Sequence, residues 1–195
     1  MEKIIEIKRK EFEILEPIGD RSYKAYRKGL TFFIKDFGDD EKGFDHYLKA
    51  EHRLRTSGIR IPKLCLYDKR KRIVVSEFIE GKTILDLLQE DHLPDICFEE
   101  VFIMNFFSKR SQIMIDYDPQ NFKVKNGKLI YLSQFYGVFD EKLTFEKDAI
   151  YLWFYGKELV GYLSKRGLPV KQERIISNSG ELNKQVALTV VKYYR

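Results

Sequence analysis

The sequence predicts an α+β fold: a small antiparallel sheet carrying one helix, followed by a short and mainly helical region. Three observations predict it. The first third consists of short segments rich in β-formers and punctuated by Gly and Pro. From residue 42 the pattern switches to three- and four-residue spacing, the period of a helix. From about Phe145 the chain reads mostly as helix again. With 195 residues, 44% hydrophobic and 14% aromatic, it is long and apolar enough to bury a core.

The elements follow in order. Residues 12–15 form a strand that enters a turn at Pro17-Ile18-Gly19-Asp20, and residues 22–27 run back. Gly29 makes a second turn, and residues 31–35 complete a three-strand meander. In residues 42–57, Phe44, Tyr47 or Leu48, Glu51, and Leu54 or Arg55 share one helical face. A carboxylate within such a face calls for a positive partner. Gly58 ends the helix, and Pro62 marks an extended segment. Residues 64–67 and 72–78 form a hairpin around Lys69-Arg70-Lys71-Arg72, read as a solvated turn. A helix follows at 83–88, and Asp95 is placed to cap another through residue 107. Ile113-Met114-Ile115-Asp116 leads into a polar loop ending at Asn121. A hairpin of residues 122–124 and 128–132 then turns at Asn126-Gly127.

Composition excludes some classes. Charges interrupt the apolar residues of Met1-Glu2-Lys3-Ile4-Ile5-Glu6, which is unlike a signal peptide. The longest apolar stretch, residues 150–160, is cut by Lys157 and Glu158, so no membrane span is expected. Cys65 and Cys97 lack metal-ligand spacing; free thiols in a reducing cytoplasm are the simpler reading, with a disulfide left open. The net charge of +5 suits nucleic acid, an anionic surface or a phosphate ligand alike.

The order of three strands, helix, two strands, linker, helices, charged loop and hairpin resembles the protein-kinase-like superfamily over roughly residues 12–163. The resemblance implies one two-lobed domain, with residues 1–80 as the N-lobe and 81–195 as a minimal C-lobe. Lys35, in Phe33-Ile34-Lys35-Asp36-Phe37, looks like the third-strand lysine that holds nucleotide phosphates. Glu51, sixteen residues on, is its implied partner, with Asp45 and Glu41 as rivals. Gly19 is what remains of a glycine-rich loop. Val74-Val75-Ser76-Glu77-Phe78-Ile79-Glu80-Gly81 looks like the hinge, where the backbone near Glu77 and Ile79 would meet an adenine edge. Asp116 and Asn121 stand five apart with Pro119 between them, as in the family's H-x-D-x-x-x-x-N loop. By that likeness Asp116 orients the acceptor hydroxyl and accepts its proton, and Asn121 ligates Mg²⁺. Asp148 resembles a buttressing aspartate; helix capping explains it nearly as well.

Departures from the pattern bear on activity. Arg21 and Lys24 stand where glycines are expected, Met114 replaces the loop histidine, and Asp118 would repel a γ-phosphate. Where the family has D-F-G, the chain reads Ser133-Gln134-Phe135-Tyr136-Gly137, so neutral Ser133 or Gln134 replaces the metal aspartate. That places Mg²⁺ in doubt while ATP remains the implied ligand. No A-P-E segment follows, and the build looks more like RIO-type or lipopolysaccharide core kinases. The expectation is a cytoplasmic nucleotide-binding protein, catalytically weakened or a pseudokinase that acts as a binding or regulatory module. Its acceptor or protein partner is undefined. An active small ATP-dependent phosphotransferase is the alternative. An RNA-associated basic protein is the third reading, and nucleic acid is the least expected partner because no nucleic-acid motif appears.

Overall fold

A computed structural model describes residues 3–90 and 93–194; Met1 and Glu2, on which the signal-peptide reading partly rests, lie outside the described residues. Contacts divide the chain into two units, one of Met1–Arg53 with Ile61–Ile79 and one of Leu54–Arg60 with Glu80–Arg195. The protein is α+β, with a curled six-stranded antiparallel sheet and, among the described residues, five α-helices.

The first unit holds β1 (Lys3–Ile7), β2 (Lys10–Gly19), β3 (Ser22–Arg27), β4 (Leu30–Asp36), most of helix α1 (Glu41–Thr56), β5 (Leu64–Asp68) and β6 (Ile73–Glu77). The strands lie in the order β1-β2-β3-β4-β6-β5, all neighbours antiparallel. Alternation along them sends Ile7, Phe12, Ala25, Ile34, Ile73 and Val75 into one core, which Phe32 and Leu66 help to close. Although β1 and β5 sit at opposite ends of that order, the sheet curls until they meet. Lys71 Nζ donates to the Glu6 carbonyl oxygen at 2.8 Å, and Lys8 Nζ stands 5.0 Å from the Tyr67 ring centre.

Two expectations for this region are corrected. The meander gains β1, whose charges mask a short alternation of Ile5 and Ile7. Strand β2 does not end before Pro17 but runs on to Gly19. Register shifts between Ile14 and Glu16 and between Pro17 and Gly19 absorb the proline, which has no N–H to give the ladder. The turn therefore falls at Asp20-Arg21. Helix α1 starts behind Asp40, whose carboxylate accepts from the Gly43 N–H at 2.8 Å.

The second unit holds α2 (Ile84–Glu90), α3 (Asp95–Arg110), β7 (Ile113–Met114), β8 (Phe122–Lys125), β9 (Lys128–Tyr131), β10 (Gly137–Val138), α4 (Lys157–Lys165) and α5 (Ser179–Tyr193). The β8–β9 hairpin turns on Asn126 and Gly127, both at positive φ (51° and 69°), the backbone that this dipeptide favours. β7 pairs with β10. Asp95 does not cap α3. Pro94 precedes the helix, and the Asp95 carboxylate accepts from Lys192 Nζ at 2.8 Å near the end of α5. The region after Phe145 is less helical than expected, because the 3-10 turns Ala149–Trp153 and Gln172–Arg174 and the breaks at Gly156 and Gly167 divide it.

Two buried features tie this unit together. Glu100 accepts from Arg60, from Lys128 Nζ at 3.0 Å and from the Leu129 N–H at 3.3 Å, anchoring α3 to β9. Trp153, 1% exposed, has Phe122 and Phe145 edge-on at 5.5 and 5.2 Å. Cys65 and Cys97 are free. Among the described residues, no helix is long and apolar enough to cross a membrane.

Candidate functional site

Every residue with an implied role in nucleotide binding lies in the first unit. Gly19 ends β2 opposite Ser22, and Ser22 in turn lies opposite Lys35 of β4. Because Ile34 points into the core, Lys35 and Phe33 face the other side of the sheet. Helix α1 lies over that side: Tyr47 hydrogen-bonds Ser76, which lies opposite Phe33. Glu51 follows Tyr47 by one helical turn. Burial and the charge of Glu51 push the Tyr47 phenol above its ordinary pKa, against the bond to Ser76. Lys35 and Glu51 are thus carried by the facing layers of one unit.

Lys35 Nζ donates to the Asp20 carbonyl oxygen at 2.5 Å, so the lysine holds the β2–β3 turn. Arg21, at the tip of that turn with φ 47°, reaches Asp36 at 2.6 Å and bonds its carbonyl through Nε at 3.2 Å. The guanidinium lies where a Cβ on Gly38 would come within 2.6 Å of it, so Gly38 keeps space open for Arg21. Lys24 stands 4.7 Å from the Phe78 ring centre and 3.8 Å from Glu16. Both side chains that replace glycines are engaged in the sheet. At the end of β6 the Glu77 N–H donates to the Lys63 carbonyl at 2.9 Å, and Ile79 is buried beyond it.

The second unit brings Asp116 and Asn121 together. Asn121 Nδ2 donates to Asp116 Oδ2 at 2.9 Å, and the Asp118 N–H donates to Oδ1 at 3.0 Å. The carboxylate stays exposed at the mouth of a cavity of about 300 Å³, lined also by Met114, Phe135, Asp148 and Leu152. The short 3-10 turn Pro119–Asn121 sets the five-residue spacing, and Asp118 caps it by accepting from the Gln120 N–H at 3.0 Å. Asp118 is otherwise occupied than the sequence implies. Its side chain, 12% exposed, also accepts from Tyr162 Oη at 2.7 Å and from Arg166 at 3.3 Å. Its charge is met by a guanidinium from the end of α4, while burial, and after it the hydrogen bond to Asp118 and the Asp118 charge, raise the Tyr162 pKa.

A polar network under this loop escaped the sequence reading. The buried amide of Asn105 accepts from Tyr117 Oη at 3.0 Å and from the Phe145 N–H at 3.2 Å, and donates to Glu146 at 2.7 Å. Lys109 closes the network on Glu146. Burial opposes ionisation of Glu146, but the Lys109 hydrogen bond prevails and holds its pKa below the ordinary value. Trp153 Nε1 joins the same support, donating to the Tyr117 carbonyl at 2.9 Å. Tyr131 spans two segments: its hydroxyl accepts from the Asp116 N–H at 3.1 Å and donates to the Phe135 carbonyl at 3.0 Å. Burial pushes the Tyr131 phenol up to about 12.

The two neutral residues that stand where the resemblance implies a metal-binding aspartate differ. Ser133 Oγ accepts from the Phe135 N–H at 3.1 Å and makes a local turn, whereas Gln134 Oε1 is buried without a hydrogen-bond partner. Gln134 is therefore the position with an oxygen to offer. Neutral amides at Asn121 and Gln134 do not fit a firmly held Mg²⁺, which favours charged oxygen. Among the described residues, no group of three His, Cys, Asp or Glu side chains is placed to hold a metal. Asp148 precedes the Ala149–Trp153 turn without capping it through its side chain. The chain matches no family model and no curated protein.

Proposed function

We propose that this chain is a kinase-like nucleotide-binding protein whose phosphoryl transfer is weakened or lost, and that it acts as a binding or regulatory module. The observation that carries the reading is the Asp116–Asn121 pair, joined at 2.9 Å and held on its turn by buried partners, together with a neutral Gln134, its Oε1 buried without a hydrogen-bond partner, where the resemblance implies a metal-binding aspartate. Support also comes from the element order: strands β2, β3 and β4, then α1, then β5 and β6, with β6 inserted next to β4. The hairpin β8–β9 directly follows the Asp116 loop, in the order that the resemblance implies. In this reading Lys35 meets the nucleotide phosphates after releasing the Asp20 carbonyl, Glu51 steadies it, and the backbone near Glu77 and Ile79 meets the base. Retention of Lys35, Asp116 and Asn121 together favours the second reading, a small active phosphotransferase.

Calorimetry with ATP, with and without Mg²⁺, tests the first reading. Binding is expected without a metal requirement, and Lys35→Ala should abolish it. Gln134→Asp should make binding Mg²⁺-dependent. Unchanged ATP binding by Lys35→Ala would remove the proposed site. Mg²⁺-dependent binding by the natural chain, with release of ADP, would establish the active reading instead.

A further inference from the structure

The curl of the sheet joins two basic turns that are sixty residues apart in the chain. The β1–β2 turn carries Lys8 and Arg9, with Lys10 opening β2 beside them, and the β5–β6 turn carries Lys69, Arg70 and Lys71; all six are exposed. They are joined through the Lys71 bond to the Glu6 carbonyl at 2.8 Å and the seat of Lys8 over Tyr67 at 5.0 Å. The acidic residues nearest in sequence are Glu6, Glu11 and Asp68. Asp68 Oδ1 is used inside its own turn, accepting from the Arg70 and Lys71 N–H groups at 2.9 and 3.1 Å.

The backbone adds a second observation. Ile7 pairs with Lys10, so Lys8 and Arg9 alone make the turn, at φ 48° and 61°. Two left-handed residues in a two-residue hairpin suit Asn-Gly and strain Lys-Arg. Here the positions that favour small residues carry two cations, and strain of this kind is retained where the side chains serve a purpose.

We propose that this corner binds the phosphodiester backbone of a nucleic-acid duplex, without reading its sequence. Cations on two rigid hairpins present spaced charge to a regular row of phosphates, and release of condensed counterions drives such binding. No aromatic residue stands at either turn tip to stack on single-stranded bases, and the tips carry no apolar residue to enter a membrane. The inference stands apart from the nucleotide reading, which concerns Lys35 and the β2–β3 turn that it holds.

Fluorescence anisotropy of labelled RNA and DNA duplexes with the full chain, free of ATP, across a series of KCl concentrations tests the proposal. Affinity is expected to fall linearly on a log–log plot. The double substitutions Lys8→Asn with Arg9→Gly, and Lys69→Ser with Arg70→Ser, should each reduce the slope by about 2, the loss of two phosphate contacts. The first pair places Asn-Gly in a turn that suits it, so the fold is retained, and thermal melting checks this. No binding at low salt, or both variants binding with the natural slope, would overturn the proposal. So would binding to phosphatidylserine vesicles that a duplex fails to compete away.

Discussion

The β2–β3 turn of the first unit and the Asp116 loop of the second are both held by polar contacts, but of opposite kinds. The turn is held at its surface: Lys35 on the Asp20 carbonyl, and Arg21, its side chain half exposed, on Asp36. Water can replace each of these bonds as it breaks, so the turn is cheap to move. The loop is held from beneath by Asn105, Tyr117 and Trp153, all buried. There a broken bond leaves a polar group without water, at a cost of about 1–3 kcal/mol per group. The contrast teaches where adaptation resides. A ligand can reshape the turn, whereas it must fit the loop as it stands.

Substitutions can break or sharpen this contrast. Asn105→Ala strips partners from Tyr117, Glu146 and the Phe145 N–H at once, and a loss of about 3 kcal/mol is expected in urea unfolding. A loss below about 1 kcal/mol would mean that the loop is not supported from beneath. Tyr131→Phe keeps the ring and removes the hydroxyl shared by Asp116 and Phe135. About 1–2 kcal/mol should go, with faster hydrogen exchange at the Asp116 amide, and unchanged exchange would refute the bridge. Glu146 has its folded pKa below the ordinary 4.5, so its contribution is present above that pH and is lost as pH falls through the folded value. Glu146→Gln should therefore differ from the natural chain most above pH 4.5, with the two stability curves closing in more acid solution. Curves that stay parallel would deny the pairing with Lys109. The smallest effect belongs to the turn: Arg21→Ala should leave the unfolding midpoint unchanged within error, because a guanidinium so exposed is screened by solvent. A clear shift would show the turn to be as fixed as the loop.

What the sequence revealed was local. Asn126-Gly127 declares its turn through its own backbone preference, and the spacing of Asp116 and Asn121 matches one short 3-10 turn. The α1 helix, with Glu51 on it, was legible from apolar periodicity alone. The partners of Asp118 were not legible because Tyr162 and Arg166, which engage its charge, lie 44 and 48 residues further on. Asn105 looked like one more polar residue within α3, since nothing nearby marks a buried amide with three partners. Strand β1 has little pattern of its own and is defined by pairing with β2. The joined basic turns were invisible for the same reason: curling of a sheet is not written in any one strand.

Trp153 carries a consequence of a spectroscopic kind. It is the single tryptophan of the chain, buried, with its indole N–H on the carbonyl of the residue after Asp116. Native emission should be blue-shifted, because the ring is buried among Phe98, Phe122 and Phe145. The protein thus contains its own reporter: any ligand that disturbs the Asp116 loop can be followed there by intrinsic fluorescence, without attaching a dye.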